Sequence, residues 1–417
     1  MNEFDLIGIG RRAKKAAARL AVLNSDRKNS LLHAFQQALL ANEDALLEAN
    51  ARDIELAKAS HLSSAMTERL TLTPKRIRDM AEGVAQLMDL PDPCGETLSR
   101  RVLENGLEII QTTVPFGVIA MIYESRPNVT VDAAALCLKS GNACILRGGK
   151  EAHFTNAALT DLIRRVLKDC GLPEDAVISI LDPDRQIVNR LLTLREYVDL
   201  VIPRGGAGLI RFVVDTSTVP VIETGSGVCH TYVDADADLE KAVPIIVNAK
   251  VQRPSVCNAM ETLLIHRAVA EKFIPRLFPV LAEKQVELRG DDRVRTIWPS
   301  AVPAEEADWS TEYSALILSV KIVDSLEEAI DHIRRFSTGH SECIISENKE
   351  SIRTFMNAVD AACVYANAST RFTDGFEFGF GAEIGISTQK LHVRGPVGLA
   401  PLVTYKYKIF GNGQIRG

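Results

Sequence analysis

The sequence predicts an α/β protein with two doubly wound, parallel-sheet domains and a projecting β arm. Three observations lead there. From residue 114 onward, short near-continuous apolar runs alternate with helical stretches, the pattern of strands buried on both faces and joined by crossover helices. After Glu223 the same alternation starts afresh. Two stretches of polar/apolar alternation, "SRRVLENGLEIIQTTV" and "GPVGLAPLVTYKYKIFG", have no obvious place in either series.

Residues 11–90 read as helices. "NSDRKNSLLHAFQQALLANEDALLEAN" carries apolar residues at helical spacing, with Asn24 or Ser25 as its N-cap. "LTPKRIRDMAEGVAQLM" opens on Thr73-Pro74, a cap followed by proline at the first helical position. The alternating stretch that follows has Asn105-Gly106 at its centre, a hairpin signal. Then come the strands "VPFGVIAMIYE", "ACILRGG", "AVISIL", "YVDLVIP" and "VPVIE", with helices between them such as "TVDAAALCLKSG" and "HFTNAALTDLIRRVLKDCG", closed by Gly141 and Gly171. In the second series "ETLLIH", "ALILSVKIVD", "SECIIS" and "ACVYAN" are strands. "AVAEKFIPRLFPVLAEK", "SLEEAIDHIRRF" and "NKESIRTFMNAV" are helices. The last stretch is a late strand with Tyr405, Tyr407 and Ile409 on one face and no partner in its own series.

The chain has 417 residues, enough for two or three domains, with 46% hydrophobic and 24% charged residues. Its net charge of −6 comes without blocks of like charge, which argues against nucleic acid and against a polybasic membrane contact. No apolar run is long enough to span a bilayer, and the acid-bearing start "MNEFDLIGIG" is no secretory signal. The eight cysteines show no C-x-x-C spacing, so neither zinc nor a disulfide framework is expected, and a cytoplasmic location fits. His230, His340 and His392 are too scattered to suggest a metal site, and none is expected.

Chemistry is expected at the carboxyl ends of the first strand series, which read "YESRPN", "LRGGK", "IPRGGAG" and "ETGSG". Three of the four are rich in glycine and three carry a cation, which suits the phosphates of a dinucleotide. None is G-x-G-x-x-G. Cys257 follows a helix broken by "RPS", a setting in which a thiolate can be exposed and stabilised.

"VPFGVIAMIYESRPNVTVDAAALCLKSGNACILRGGKEA" and "VNAKVQRPSVCNAMETLLIH" resemble the aldehyde dehydrogenase superfamily. "YESRPNVTVD", "IPRGGAGL", "QRPSVCN" and "NASTRFTDGFEFGFGAEIGISTQKLHVRGPVGL" narrow the likeness to the branch that reduces an acyl phosphate of glutamate, over residues 5–415. That resemblance implies a cofactor domain of residues 1–93 and 113–222, joined by about 370–398. It implies a catalytic domain of 223–369 and an oligomerisation arm of 94–112 and 399–417. The implied reaction is NADPH-dependent reduction of L-glutamyl 5-phosphate to L-glutamate 5-semialdehyde and phosphate through a Cys257 thioester, a step of proline biosynthesis.

The same resemblance makes Cys257 the nucleophile and Asn128 the side-chain donor to the oxyanion. It places a cofactor-binding cation at Arg147, followed by Gly148, Gly149 and Lys150, and a ribose-binding carboxylate at Glu312; Gly205 and Gly206 complete the cofactor set. Arginine followed by two glycines favours NADP over NAD. For the substrate the candidate cations are Arg126 and Arg253 at the phosphoryl end, Arg371 at the carboxylate end, and His340. The expected partners are further copies of the chain and, transiently, a glutamate 5-kinase. Glu223 stands 34 residues before Cys257, where a hydrolytic aldehyde dehydrogenase keeps its water-activating base. "ETGSGVCH" departs from that pattern, and an activated water would waste the thioester, so Glu223 is not expected to act as a base. The alternative is a hydrolytic, NAD(P)-dependent aldehyde dehydrogenase.

Overall fold

The computed structural model describes residues 5–416; residues 1–4 and 417, which the expected cofactor domain and arm include, lie outside the described residues. The chain forms two compact units. One runs from the N-terminal region to Thr224 and takes in Gly379–Gly385 and the residues from Val397 onward. The other comprises Gly225–Phe378 and Ile386–Pro396.

The first unit begins with helices. Leu6–Leu20 is capped by Asp5, whose carboxylate accepts from the amide of Gly8 at 2.8 Å. The basic face of this helix is tied down by Lys14, which donates to Asp199 at 2.6 Å, and Asp199 also accepts from the amide of Val118. Of the two candidate caps Asn24 is the one used: its side chain accepts from Arg27 at 3.0 Å. The helical stretch it opens is divided at Asn42 into Ser25–Ala41 and Glu43–Ala59. Thr73 caps Pro74–Asp89 as its sequence suggests.

Next come β1 (Thr97–Val102), β2 (Glu108–Pro115), β3 (Val118–Tyr123), β4 (Ala143–Arg147), β5 (Val177–Ser179) and β6 (Leu200–Arg204). The last four form a parallel sheet in the order β5-β4-β3-β6. All six residues of β3 are buried, as the interior of a doubly covered sheet requires. The expected fifth strand, "VPVIE", is reduced to one bridge, Val201 with Val221. Pro220 has no N–H to extend the ladder, and glycines follow at once. The strand order reverses between β3 and β6, so ligand contact is expected beyond the carboxyl ends of those two strands.

The second unit carries β7 (Cys229–Val233), β8 (Met260–His266), β9 (Glu287–Gly290), β10 (Val302–Pro303), β11 (Ile317–Val323), β12 (Ser341–Ile345) and β13 (Cys363–Ala366). They form one seven-stranded parallel sheet, β10-β9-β11-β8-β7-β12-β13. Alternate residues serve opposite faces. Leu263, Ile265, Cys343 and Ile345 pack with Phe273, Leu277 and Phe278 of helix Arg267–Glu283. Tyr232, Leu264 and Ile344 face Ile330, Ile333 and Phe355 of helices Leu326–Phe336 and Lys349–Ala358. A short antiparallel pair, β14 (Ile386–Ser387) and β15 (Gly395–Pro396), belongs to this unit. The sequence did not single out β7, β9 or β10 as strands.

The final strand, β16 (Val403–Phe410), pairs with β2 along eight residues, and β2 pairs with β1, which makes a three-stranded antiparallel sheet within the first unit. Gly106 takes φ +84° at the hairpin turn, a conformation that glycine supplies without strain. Tyr405, Tyr407 and Ile409 lie on one face of β16 and are all exposed.

Candidate active site

Cys257 lies in the loop 252–259, between helix Leu239–Val251 and β8, at the amino edge of the second unit's sheet. It is half-buried. The loop is held from several sides. The Asn258 amide donates to the carbonyl of Thr373 at 2.8 Å, and the Thr370 hydroxyl donates to the carbonyl of Asn258 at 2.8 Å. Arg371 donates from Nε to Gln252 at 2.8 Å and from its guanidinium end to the Asn258 side-chain oxygen. Gly227 closes against the backbone: a Cβ there would lie 1.5 Å from the carbonyl oxygen of Cys257. That glycine, within a turn read as a phosphate loop, is required by the close approach of the Cys257 backbone.

Burial pulls the Arg371 guanidinium below its usual pKa, with Arg253 pushing the same way and Asp374 and Cys257 opposing. Arg253 and Arg371 therefore share one electrostatic neighbourhood with Cys257 and Asp374. Cys229 is different: burial pushes its thiol well above the ordinary value, and it donates to the Cys257 carbonyl at 3.2 Å. His340 lies a layer deeper, fully buried, with Nδ1 2.8 Å from the Ser341 hydroxyl and 3.7 Å from Cys229 Sγ.

Below this loop is a pair the sequence reading missed. Lys250 and Glu261 are fully buried and bonded to each other, one at each base of the loop. Glu312 is half-buried and within electrostatic reach of both. A lysine and a glutamate inside the apolar runs "VNAKV" and "METLLIH" were the available signal.

In the first unit, Asn128 stands in the first turn of helix Pro127–Lys139, directly after β3. Its amide donates to Asp132 Oδ2 at 3.0 Å, one helical turn on. Burial pushes the Asp132 carboxyl up to about 6, while the Asn128 hydrogen bond and the Arg204 charge work against that rise. A pocket here is lined by Arg126, Asn128, Asp132, Arg204, Glu383 and Ile384. Asp132 was also missed, although it is the one acid of its helix.

The glycine turns sit at the expected strand ends. After β6, the amide of Gly206 opens helix Ala207–Thr216 and holds the Glu124 carboxylate at 3.0 Å. An anion thus already rests at this helix start, where backbone N–H groups and the helix dipole favour one. After β4, Gly148 lies so close to Asn156 that a Cβ would stand 2.2 Å from its amide nitrogen. Arg147 is half-buried with its guanidinium turned to the Gly148 carbonyl, and Lys150 is exposed. Arg147 and Lys150 thus stand after β4, and Glu124 already occupies the helix start after β6. Among the described residues, no group of three His, Cys, Asp or Glu side chains could hold a metal ion, and no helix is long and apolar enough to cross a membrane.

Two parallel α/β units with a cysteine at the amino edge of the second sheet define a class. A family model described as the aldehyde dehydrogenase family matches residues 5–298. Gamma-glutamyl phosphate reductase of Moorella thermoacetica is 58% identical over 98% of this chain and 97% of its own length. That of Enterococcus faecalis is 55% identical over the whole of both chains. The crystal structure of gamma-glutamyl phosphate reductase from Thermotoga maritima superposes with a TM-score of 0.97 at 47% identity, over 99% of this chain and 100% of that one. The chain belongs to the gamma-glutamyl phosphate reductases of the aldehyde dehydrogenase family.

Proposed function

We propose that this protein reduces L-glutamyl 5-phosphate with NADPH to L-glutamate 5-semialdehyde and phosphate, in the cytoplasm, as a step of proline biosynthesis. The observation that carries this reading is the 58% identity to a gamma-glutamyl phosphate reductase over 98% of the chain. Cys257 attacks the acyl carbon, and the oxyanion is stabilised by the Asn128 amide and the Cys257 backbone N–H. Arg126 and Arg253 neutralise the departing phosphate as the thioester forms. NADPH, when bound, supplies the hydride that brings the thioester to the aldehyde level. Collapse of the hemithioacetal then returns the Cys257 thiol and releases the aldehyde.

Gly148, Gly149, Arg147 and Lys150 would hold the cofactor phosphates, with Glu312 for a ribose; Gly205 and Gly206 would join them once the Glu124 carboxylate leaves the Gly206 amide. The paired cations favour NADP over NAD. Arg371, already bonded to Gln252 and Asn258, supports the nucleophile loop and the thiolate charge; His340 supports it from behind through Cys229. The exposed face of β16 suits pairing with further copies of the chain, and so labile a substrate favours transient contact with the kinase that makes it.

The decisive assay runs in reverse. NADP reduction with L-glutamate 5-semialdehyde is expected to require phosphate or arsenate. Sustained turnover without either would instead establish a hydrolytic aldehyde dehydrogenase. A second expected result concerns Glu223, which is half-buried. Glu223→Gln should keep NADPH-dependent reduction within roughly tenfold of the parent, where losing a general base costs about 10²–10⁴. A fall as deep as that of Cys257→Ala would make Glu223 catalytic.

A further inference from the structure

We propose that Asp132 and Arg204 hold the α-ammonium and α-carboxylate of the substrate, so that the pocket beside Asn128 reads its amino-acid end. This rests on the glutamyl phosphate reading above. The pocket combines carboxylates, Asp132 and Glu383, with guanidinium groups, Arg126 and Arg204, around the Asn128 amide. That is the charge set of a zwitterion, set next to the donor assigned to the acyl oxygen.

Spacing agrees. Asn128 and Asp132 are one turn apart on a helix, with Cβ atoms about 5–6 Å from each other. In a glutamyl chain the acyl carbon and the α-nitrogen are four bonds apart, about 4–5 Å when extended. A substrate whose acyl oxygen meets Asn128 can therefore bring its ammonium to Asp132. Asp132 binds the Asn128 amide through Oδ2, and Oδ1 accepts no hydrogen bond among the described residues. Its carboxyl is raised because burial outweighs the Asn128 hydrogen bond and the Arg204 charge. An ammonium brought to Oδ1 would give this half-buried acid a directly bonded cationic partner. Arg204 is the carboxylate partner that lines this pocket, whereas Arg371 donates through Nε and Nη1 to Gln252 and Asn258.

The test uses three aldehydes in the phosphate-dependent reverse reaction: L-glutamate 5-semialdehyde, 5-oxopentanoate, which lacks the ammonium, and pentanal, which lacks both charged groups. In Asp132→Asn, kcat/KM for the semialdehyde should fall roughly tenfold to a hundredfold more than for 5-oxopentanoate, as loss of a charged hydrogen-bond partner implies. Asp132→Glu should restore part of the preference. In Arg204→Gln the preference for 5-oxopentanoate over pentanal should collapse instead. An equal fall on all three aldehydes in Asp132→Asn would overturn the proposal and leave Asp132 as a prop for Asn128. An unchanged preference would overturn it too. If the parent enzyme oxidises the semialdehyde without phosphate, the functional reading fails first and takes this pocket with it.

Discussion

Cys257→Ala is expected to lower NADPH-dependent reduction of the acyl phosphate by on the order of 10⁴-fold or more, the scale of removing a covalent nucleophile. The reason is chemical. In the proposed mechanism reduction to the aldehyde proceeds from a thioester, and without the thiol none forms. The alanine variant should still fold. The side chain removed is half-buried, and the loop is held by its backbone and its neighbours, through Gly227, Cys229 and the Asn258 hydrogen bonds. Its melting temperature should therefore stay close to the parent's. Mass spectrometry supplies a readout independent of turnover. Incubated with acyl phosphate and no NADPH, the parent should gain a glutamyl adduct on Cys257, and the alanine variant should gain none. Residual reduction within tenfold of the parent would remove Cys257 from the mechanism. Cys257→Ser should also be severely impaired, because a serine hydroxyl is a weak nucleophile unless a base activates it.

The sequence made these sites legible where chemistry and chain order coincide. The strands of the first unit announced themselves as apolar runs, and the turns after β3, β4 and β6 carry their arginines and glycines at the strand ends. Where burial is met by polar partners, the same reading fails. β7 was invisible because "CHTYV" places His230 and Thr231 in a strand that is wholly buried. Glu342, fully buried on β12, accepts from the His230 amide at 2.8 Å and lies 3.1 Å from its ring nitrogen, so the polar residue is satisfied by a neighbour 112 positions away. Apolar periodicity cannot report a hydrogen bond that only the sheet creates. Asp132, Lys250 and Glu261 escaped for a related reason. Each is a charged residue inside an apolar element, and its meaning depends on what the fold places opposite it. The "ETGSG" turn shows the converse: its glycines match a phosphate loop in composition, yet Gly227 answers to the backbone of Cys257.

Lys250→Met is expected to destabilise the second unit by about 3–5 kcal/mol, the cost of stranding one member of a buried ion pair. Lys250 and Glu261 have no solvent exposure. Burial pulls the lysine pKa down and pushes the glutamate pKa up, while each partner's charge opposes the shift in the other. In the methionine variant Glu261 keeps the upward push of burial and loses Lys250's opposition, with only the Ser314 amide still working against the rise. A carboxyl whose folded pKa lies above its unfolded value is stable at low pH and loses that advantage as pH rises. The deficit should therefore be smallest below about pH 4.5, the ordinary glutamate value, and grow toward neutrality and above. Calorimetric melting of parent and variant across that range measures it. Lys250→Met combined with Glu261→Leu should recover most of the loss, because the uncompensated acid is gone. Activity should not recover in step. The pair bridges the two ends of the loop that carries Cys257, and an apolar contact fixes direction less tightly than a hydrogen-bonded charge pair. The double variant should thus regain its melting temperature while kcat stays below the parent's. Full recovery of both would reduce the pair to a stabilising contact; recovery of stability alone makes it the clamp that aims the thiol.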